Sequence, residues 1–205
     1  MKKTLVLFLF IVAIPQELSA FEFLANLKRG NEYRFSSTNA ITDKPFPDTN
    51  IVVNDVTPTE YLIRWGDGLH VYNTLLRSIK RGAWTYSPFG CDGLPKELKK
   101  GHAETFKYVG TWEKEGKKSE AVGTCIIRVG AEKDFIINNQ KYRAVQIENI
   151  RTYHFKNNPT VKRLFIQDAY FAEDLGIWVE GDWIEKHDNK IFSHTKFKLE
   201  RFSKR

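Results

Sequence analysis

The chain has 205 residues, of which 41% are hydrophobic, and 32 Lys and Arg against 25 Asp and Glu give it a formal net charge of +7. This length suits a single domain that is large enough to build a hydrophobic core. The moderate positive charge favours loose contact with anionic surfaces such as envelope phosphates or acidic polymers, or it is simply a solvated surface. No segment after residue 20 is long and apolar enough to span a bilayer.

The first twenty residues have the pattern of a cleavable secretory signal peptide. Lys2 and Lys3 precede a short apolar stretch, which breaks at Pro15 and ends in small residues at Ser19 and Ala20. The apolar stretch is too short for a membrane anchor, which needs roughly 20 residues. We therefore predict cleavage after Ala20, a mature domain over residues 21–205 with a net charge of +6, and a periplasmic or secreted location.

The mature chain consists of short runs rich in β-branched and aromatic residues, separated by Gly, Pro or Asn. This pattern predicts successive β-strands. Residues 138–139 and 157–159 are predicted turns. The predicted strands cover residues 32–37, 51–56, 60–65, 69–75, 104–112, 121–129, 135–137, 142–150, 152–155, 161–171, 176–185 and 191–202. In the last of these, strict alternation places Phe197, Leu199 and Arg201 on one face.

Residues 81–101 contain many turn-forming residues and predict a long loop, with at most one helical turn at residues 95–98. Cys91 in this loop and Cys125 are the only two cysteines. In an oxidising compartment they would pair, although two separate buried thiols are the alternative. Neither cysteine belongs to a C-x-x-C pair or has a histidine at ligand spacing, so we expect no metal site.

About ten strands joined by short connections predict an all-β fold. An antiparallel meander can leave one face solvated, and closing it removes exposed strand edges. We predict a curved half-barrel or a barrel, with a two-sheet sandwich as the alternative.

The candidate binding residues are tryptophans on separate predicted strands, which could line a pocket or simply fill the core. They are Trp65, Trp112, Trp178 and Trp183. Glu180 and Asp182 share a strand face and could serve a hydrolase as acid and base, but an ordinary solvated strand face is the interpretation that the alternation favours. The sequence contains neither a nucleophile elbow nor a phosphate-binding glycine loop, so no cofactor is expected.

Residues 94–202 contain several short motifs whose order matches that in a known group of proteins. These include Gly123-Thr124-Cys125, Tyr142-Arg143-Ala144 and the segment from Tyr170 through Leu175-Gly176 to Val179. In this order the chain resembles a group of uncharacterised exported bacterial β-rich proteins, some of the TapB-like type and some known as domains of unknown function. The resemblance implies an extracytoplasmic β domain, a curved sheet with a concave face, and no established enzymatic activity.

Three hypotheses for function follow. The first is a noncatalytic binding module whose aromatic-lined face holds a lipidic or cell-envelope component. The second is a component of envelope assembly that contacts another protein through a strand edge or its basic surface. The third is a hydrolase that uses Glu180 or Asp182. Nucleic acid is not an expected partner of an exported protein.

Overall fold

The computed structural model describes residues 27–204, which form a closed barrel of twelve antiparallel strands. The predicted signal peptide lies outside the described residues. Each strand pairs with its neighbours in sequence, and pairing of the first strand with the last closes the barrel. The strands are β1 (Glu32–Asn39), β2 (Lys44–Val56), β3 (Glu60–Trp65), β4 (Gly68–Asn73), β5 (Ser78–Arg81), β6 (Trp84–Ser87), β7 (Ala103–Lys114), β8 (Lys117–Ile137), β9 (Gln140–Phe155), β10 (Asn158–Ala172), β11 (Ile177–His187) and β12 (Lys190–Ser203).

This structure confirms the predicted all-β class, and of the predicted architectures it is the barrel, not the half-barrel or the two-sheet sandwich. Within residues 27–204 no helix is long and apolar enough to cross a membrane. Alternation along the strands builds the core, since most inward side chains are apolar and the next residue in each strand faces outward. In β3, for example, Tyr61 and Ile63 are buried and Arg64 is exposed.

Several predicted boundaries were wrong. Residues 121–129 and 135–137 belong to one strand, because a bulge between Val129 and Glu132 absorbs the irregular residues without ending the pairing. Residues 142–150 and 152–155 likewise form the single strand β9. The predicted turn at residues 157–159 is a turn at residues 156–157, and β10 begins at Asn158.

The face predicted for Arg201 was also wrong. A register shift where β12 pairs with β1 changes the alternation after Leu199. As a result Phe202 is buried and Arg201 is exposed. Phe202 stacks on Tyr33, with ring centroids 5.0 Å apart.

Residues 81–101 are only partly a loop, because β5 and β6 form a hairpin whose turn lies at Gly82 and Ala83. The predicted helical turn at residues 95–98 is absent from this part of the described chain. The remainder, residues 88–102, folds into one end of the barrel, and we call it the plug. Cys91 and Leu94 of the plug are fully buried.

The predicted disulfide is present and fastens the plug to the barrel wall. Cys91 and Cys125 are bonded, with Cα atoms 5.5 Å apart, and Cys125 lies on β8. Hydrogen bonds add to this attachment: the Leu94 amide donates to the Leu75 carbonyl at 2.6 Å, and the Asn149 side chain donates to the Gly93 carbonyl at 3.1 Å.

Arg77 holds the plug from the inside and is 1% exposed. Its guanidinium donates to the Leu94 carbonyl at 2.8 Å and to the Glu104 carboxylate at 2.7 Å. Gly93 must lack a side chain here, because a Cβ would lie 2.5 Å from the Arg77 amide nitrogen. The plug therefore closes one end of the barrel, and six hairpin turns surround the other end, which we call the mouth.

Candidate ligand cavity

A cavity of about 290 Å³ lies inside the barrel between the plug and the mouth. Its volume is near the lower end of the roughly 300–1,000 Å³ typical of small-molecule sites. Leu27, Leu76 and Asp92 line it on the side of the plug, whereas Trp65 and Arg81 lie directly before hairpin turns at the mouth. The cavity therefore extends from the plug towards the open end.

Aromatic and aliphatic side chains make up most of the cavity wall, because inward positions of neighbouring strands lie side by side. Trp183 on β11 is at the centre of this wall. Its ring centroid lies 4.6 Å from that of Phe197 on β12 and 5.3 Å from that of Trp65 on β3. The other apolar residues that line the cavity include Phe35, Ile51, Ile63, Phe165 and Ile177.

Three of the four predicted tryptophans, Trp65, Trp178 and Trp183, line this one cavity. Trp178 lies deeper than the other two and packs edge-on against the buried ring of Phe171, with centroids 5.5 Å apart. Trp112 is not brought to the cavity. It pairs with Trp84 across β6 and β7, close to the mouth end of those strands. Whether the three cavity tryptophans contact a ligand stays a prediction.

Charged side chains also face the interior. Arg81 lies 3.8 Å from Asp92 of the plug, and Asp92 accepts hydrogen bonds from the backbone and hydroxyl of Ser78. Arg81 also lies over the Trp65 ring, 5.4 Å from its centroid. Because Asp92 is adjacent to Cys91, the disulfide helps to position one carboxylate of the cavity.

A second charged group surrounds Glu185 on β11. Its carboxylate lies 2.8 Å from the His187 ring nitrogen, 3.7 Å from the Arg163 guanidinium and 3.5 Å from the Tyr153 hydroxyl. Glu185 lines the cavity and its neighbours lie towards the mouth. The carboxylate is therefore shared among several donors and is neutralised within the protein.

Arg151 on β9 also lines the cavity, between Cys125 on β8 and Phe165 on β10 in the strand register. Its guanidinium carbon lies 4.4 Å from the Phe165 ring centroid and 5.5 Å from that of Tyr153. The Arg151 Nε atom is buried and has no hydrogen-bond partner in the described part of the chain. Aromatic faces thus hold this cation on the cavity wall.

Histidine and tyrosine at the cavity are held neutral by burial. Burial lowers the pKa of His70, which lies beside Trp65, and the charge of Arg81 lowers it further. Burial raises the pKa of Tyr72, another lining residue, far above its ordinary range. Neither side chain therefore contributes charge to the cavity at neutral pH.

Glu180 and Asp182, the candidate hydrolase residues, lie away from the cavity. Glu180 accepts from Lys133 at 3.1 Å, and Asp182 lies 2.7 Å from His194. Both carboxylates are more than a third exposed. The surfaces they occupy are solvated and their charges are paired. Among residues 27–204, no three His, Cys, Asp or Glu side chains are arranged to hold a metal ion.

Sequence reasoning missed the charged residues of the cavity, namely Arg81, Asp92, Arg151 and Glu185. A charged residue in an alternating strand is ordinarily assigned to the solvent face. A usable signal was nevertheless present, because Arg151, Tyr153 and Phe155 occupy alternate positions of one strand. An arginine that shares a strand face with two aromatic residues marks an interior that contains more than a hydrophobic core.

Comparison with known proteins identifies the fold. No family model and no curated protein sequence matches the chain. A solved structure from Parabacteroides distasonis, described as that of a lipoprotein, superimposes with a TM-score of 0.54 at 7% identity and covers 88% of this chain and 98% of its own. The two proteins share a fold.

Two further solved structures give TM-scores of 0.49. One is YmcC from Escherichia coli K12, described as a hypothetical lipoprotein, at 10% identity over 86% of this chain and 90% of its own. The other is an exported protein from Bacteroides fragilis with a YmcC-like fold, at 9% identity over 86% of this chain and 97% of its own.

Proposed function

We propose that the protein is a noncatalytic, extracytoplasmic binding module that holds a lipidic or cell-envelope component inside its barrel. The observation that carries the proposal is the aromatic-lined cavity between the plug and the mouth. Concave, mainly apolar sites with a few placed polar groups are characteristic of small-ligand binding. Its volume suits one small amphiphile, or one chain end of a larger molecule that extends out of the mouth.

The mouth supports entry of an amphipathic molecule. Five of the six exposed large hydrophobic side chains in residues 27–204 lie on hairpins at this end. They are Ile41, Phe46, Leu69, Ile191 and Phe192. Phe192 is 65% exposed and stacks on His187, which neighbours the Glu185 group of the cavity. Exposed apolar side chains thus surround the end of the barrel at which the Glu185 group lies.

Four observations support a location outside the cytoplasm. Residues 1–20 have the pattern of a signal peptide. The buried disulfide belongs to an oxidising compartment. The protein from P. distasonis that has the same fold is described as a lipoprotein, and the motifs of residues 94–202 resemble those of exported TapB-like proteins.

The closed barrel bears on the alternative of an assembly component. Every strand of the described chain has a neighbour on both sides, but the first part of β2 pairs only with β1, because its pairing with β3 begins at Ile51. A partner protein could extend this short edge or contact the basic surface. The cavity favours the binding module over this alternative.

The experiment compares two substitutions on β1. Ser37 lines the cavity, whereas its neighbour Thr38 lies on the opposite strand face. Ser37→Phe places a ring in the cavity, and Thr38→Phe is the matched control. Each purified protein is incubated with envelope lipid extract and re-isolated, and bound molecules are identified by mass spectrometry.

We expect the wild type and Thr38→Phe to retain the same lipid species and Ser37→Phe to retain none. Wild-type protein that retains no lipid or glycan from the extract would contradict the proposal. So would equal retention by all three proteins, since binding would then occur outside the cavity.

A further inference from the structure

The arginines that face the barrel interior differ in how they are neutralised. Three of them lie close to a carboxylate that also faces inward. These pairs are Arg77 with Glu104 at 2.7 Å, Arg81 with Asp92 at 3.8 Å, and Arg163 with Glu185 at 3.7 Å. Arg151 is the exception, since no carboxylate of residues 27–204 lies within 4.0 Å of its guanidinium. Among these four arginines, Arg151 alone lacks a carboxylate at ion-pair distance in the described chain.

Nearby tyrosines do not neutralise Arg151. Tyr86 and Tyr108 are close enough for its charge to act on them, but burial is the larger influence and raises the pKa of both phenols. Both are uncharged at neutral pH. The guanidinium contacts aromatic faces, which attract a cation without supplying a hydrogen-bond acceptor in its plane. Within residues 27–204 its two terminal nitrogens have no hydrogen-bond or ion-pair partner and remain available to another group, whereas its Nε atom is buried.

A partly buried cation that lacks an anionic partner is unfavourable, because burial removes water without replacing it. An anion that enters the cavity would supply the missing partner and offset the lost hydration of the guanidinium. The guanidinium suits the task, since its planar donors match the oxygens of a carboxylate or phosphate and form short, charge-assisted hydrogen bonds.

The position of Arg151 gives such an anion an orientation. Arg151 is next to Phe165 in the sheet, and Phe165 is next to Glu185, whereas the Trp183 cluster lies one row of residues closer to the plug. A ligand with its charged group at Arg151 can therefore lay its apolar part against Trp183, Trp65 and Phe197.

We propose that the cavity binds an anionic amphiphile, with Arg151 pairing with its carboxylate or phosphate group and the tryptophan wall holding its apolar part. This inference rests on the proposed function and narrows the ligand class. It makes Arg151 the residue that selects for the head group.

The test uses four ligands with the same ten-carbon chain: decanoate, decyl phosphate, 1-decanol and decyltrimethylammonium. Each is titrated into wild-type protein, Arg151→Gln and Arg151→Lys with calorimetric detection, the three ionic ligands below their critical micelle concentrations and 1-decanol below its aqueous solubility. Arg128→Gln is the matched control, because Arg128 is an exposed arginine on β8 that pairs with Glu148 at 3.1 Å.

We expect wild type to bind one or both anionic ligands at least about tenfold more tightly than decanol, and the cationic ligand most weakly. Arg151→Gln should lose the preference for anionic ligands over decanol and keep its affinity for decanol, whereas Arg151→Lys should retain part of that preference. Arg128→Gln should match wild type. The tighter of decanoate and decyl phosphate identifies the head group.

Equal binding of the anions and decanol by wild type would overturn this inference and leave the proposed function standing. An anion preference that survives in Arg151→Gln would remove Arg151 from the role. Absence of binding by all four ligands would overturn both proposals. The comparison of decanoate with decanol in wild type does not depend on whether a variant folds.

Discussion

Removal of the disulfide should destabilise the protein through the plug. The perturbation is the double substitution of Cys91 and Cys125 by alanine, which avoids placing hydroxyl groups in a site where both side chains are fully buried. The bond connects positions 34 apart in sequence and joins the plug to β8. Without it, the unfolded chain gains the conformational freedom of that loop.

The chain-entropy model gives about 3–4 kcal/mol for a loop of this length. For a domain of this size each kcal/mol corresponds to roughly 2–4 °C in melting temperature, so the variant should melt at least about 6 °C below wild type. Hydrogen bonds that hold the plug, such as that from Arg77 to the Leu94 carbonyl, are retained. The variant should therefore still fold.

The assay is urea unfolding followed by tryptophan fluorescence, with and without reducing agent. Under oxidising conditions the variant should unfold at a lower urea concentration than wild type. When wild type is unfolded and refolded in reducing agent, the difference in urea midpoint between the two proteins should nearly vanish, because the reduced wild type also lacks the disulfide. A variant within about 1 kcal/mol of oxidised wild type would refute the loop-closure reasoning.

Three further predictions concern other parts of the barrel. Gly181→Val should unfold the protein or cost several kcal/mol in urea unfolding, because a Cβ at Gly181 would meet the Ala169 side chain and backbone of the neighbouring strand. Glu104 has a lowered pKa: burial opposes this, but hydrogen bonds from the Lys96 amide and Arg77 outweigh it. The ionised Glu104 carboxylate should therefore stabilise the fold above the ordinary carboxyl pKa, and this contribution should be lost as pH falls through the lowered pKa. Urea midpoints measured between pH 7 and 3 should change less in Glu104→Gln than in wild type. The double variant Glu180→Gln/Asp182→Asn should bind decanoate as wild type does and shift unfolding by no more than about 1–2 kcal/mol, since it removes one exposed ion pair and one hydrogen bond to His194; loss of binding would place function on the outer face.

Local alternation made much of the barrel predictable. The strand at residues 60–65 has the predicted bounds because its apolar residues alternate cleanly between turn-forming neighbours. The hairpin of β5 and β6 was missed because each strand has only four residues and is followed by many turn formers. Its pairing with β7 spans the whole plug and is a non-local contact that a residue pattern does not reveal.

The candidate site was only partly predictable for a related reason. Tryptophans signal an interior wherever they occur, so Trp65, Trp178 and Trp183 could be nominated from the sequence. Their convergence depends on how strands far apart in sequence close the barrel, and the same closure leaves Trp112 away from the cavity. Arg151 was missed because alternation identifies a face of a strand, but it does not show whether that face meets a packed core or a cavity.

The most direct test of the central claim is quenching of tryptophan fluorescence by a bromine-labelled amphiphile, 10-bromodecanoate. Bromine quenches on contact, and three of the chain's five tryptophans line the cavity. The proposal predicts saturable quenching at one ligand per protein, with unlabelled decanoate competing and bromoacetate producing none at equal concentration. Quenching that does not saturate, or that bromoacetate matches, would contradict binding inside the barrel.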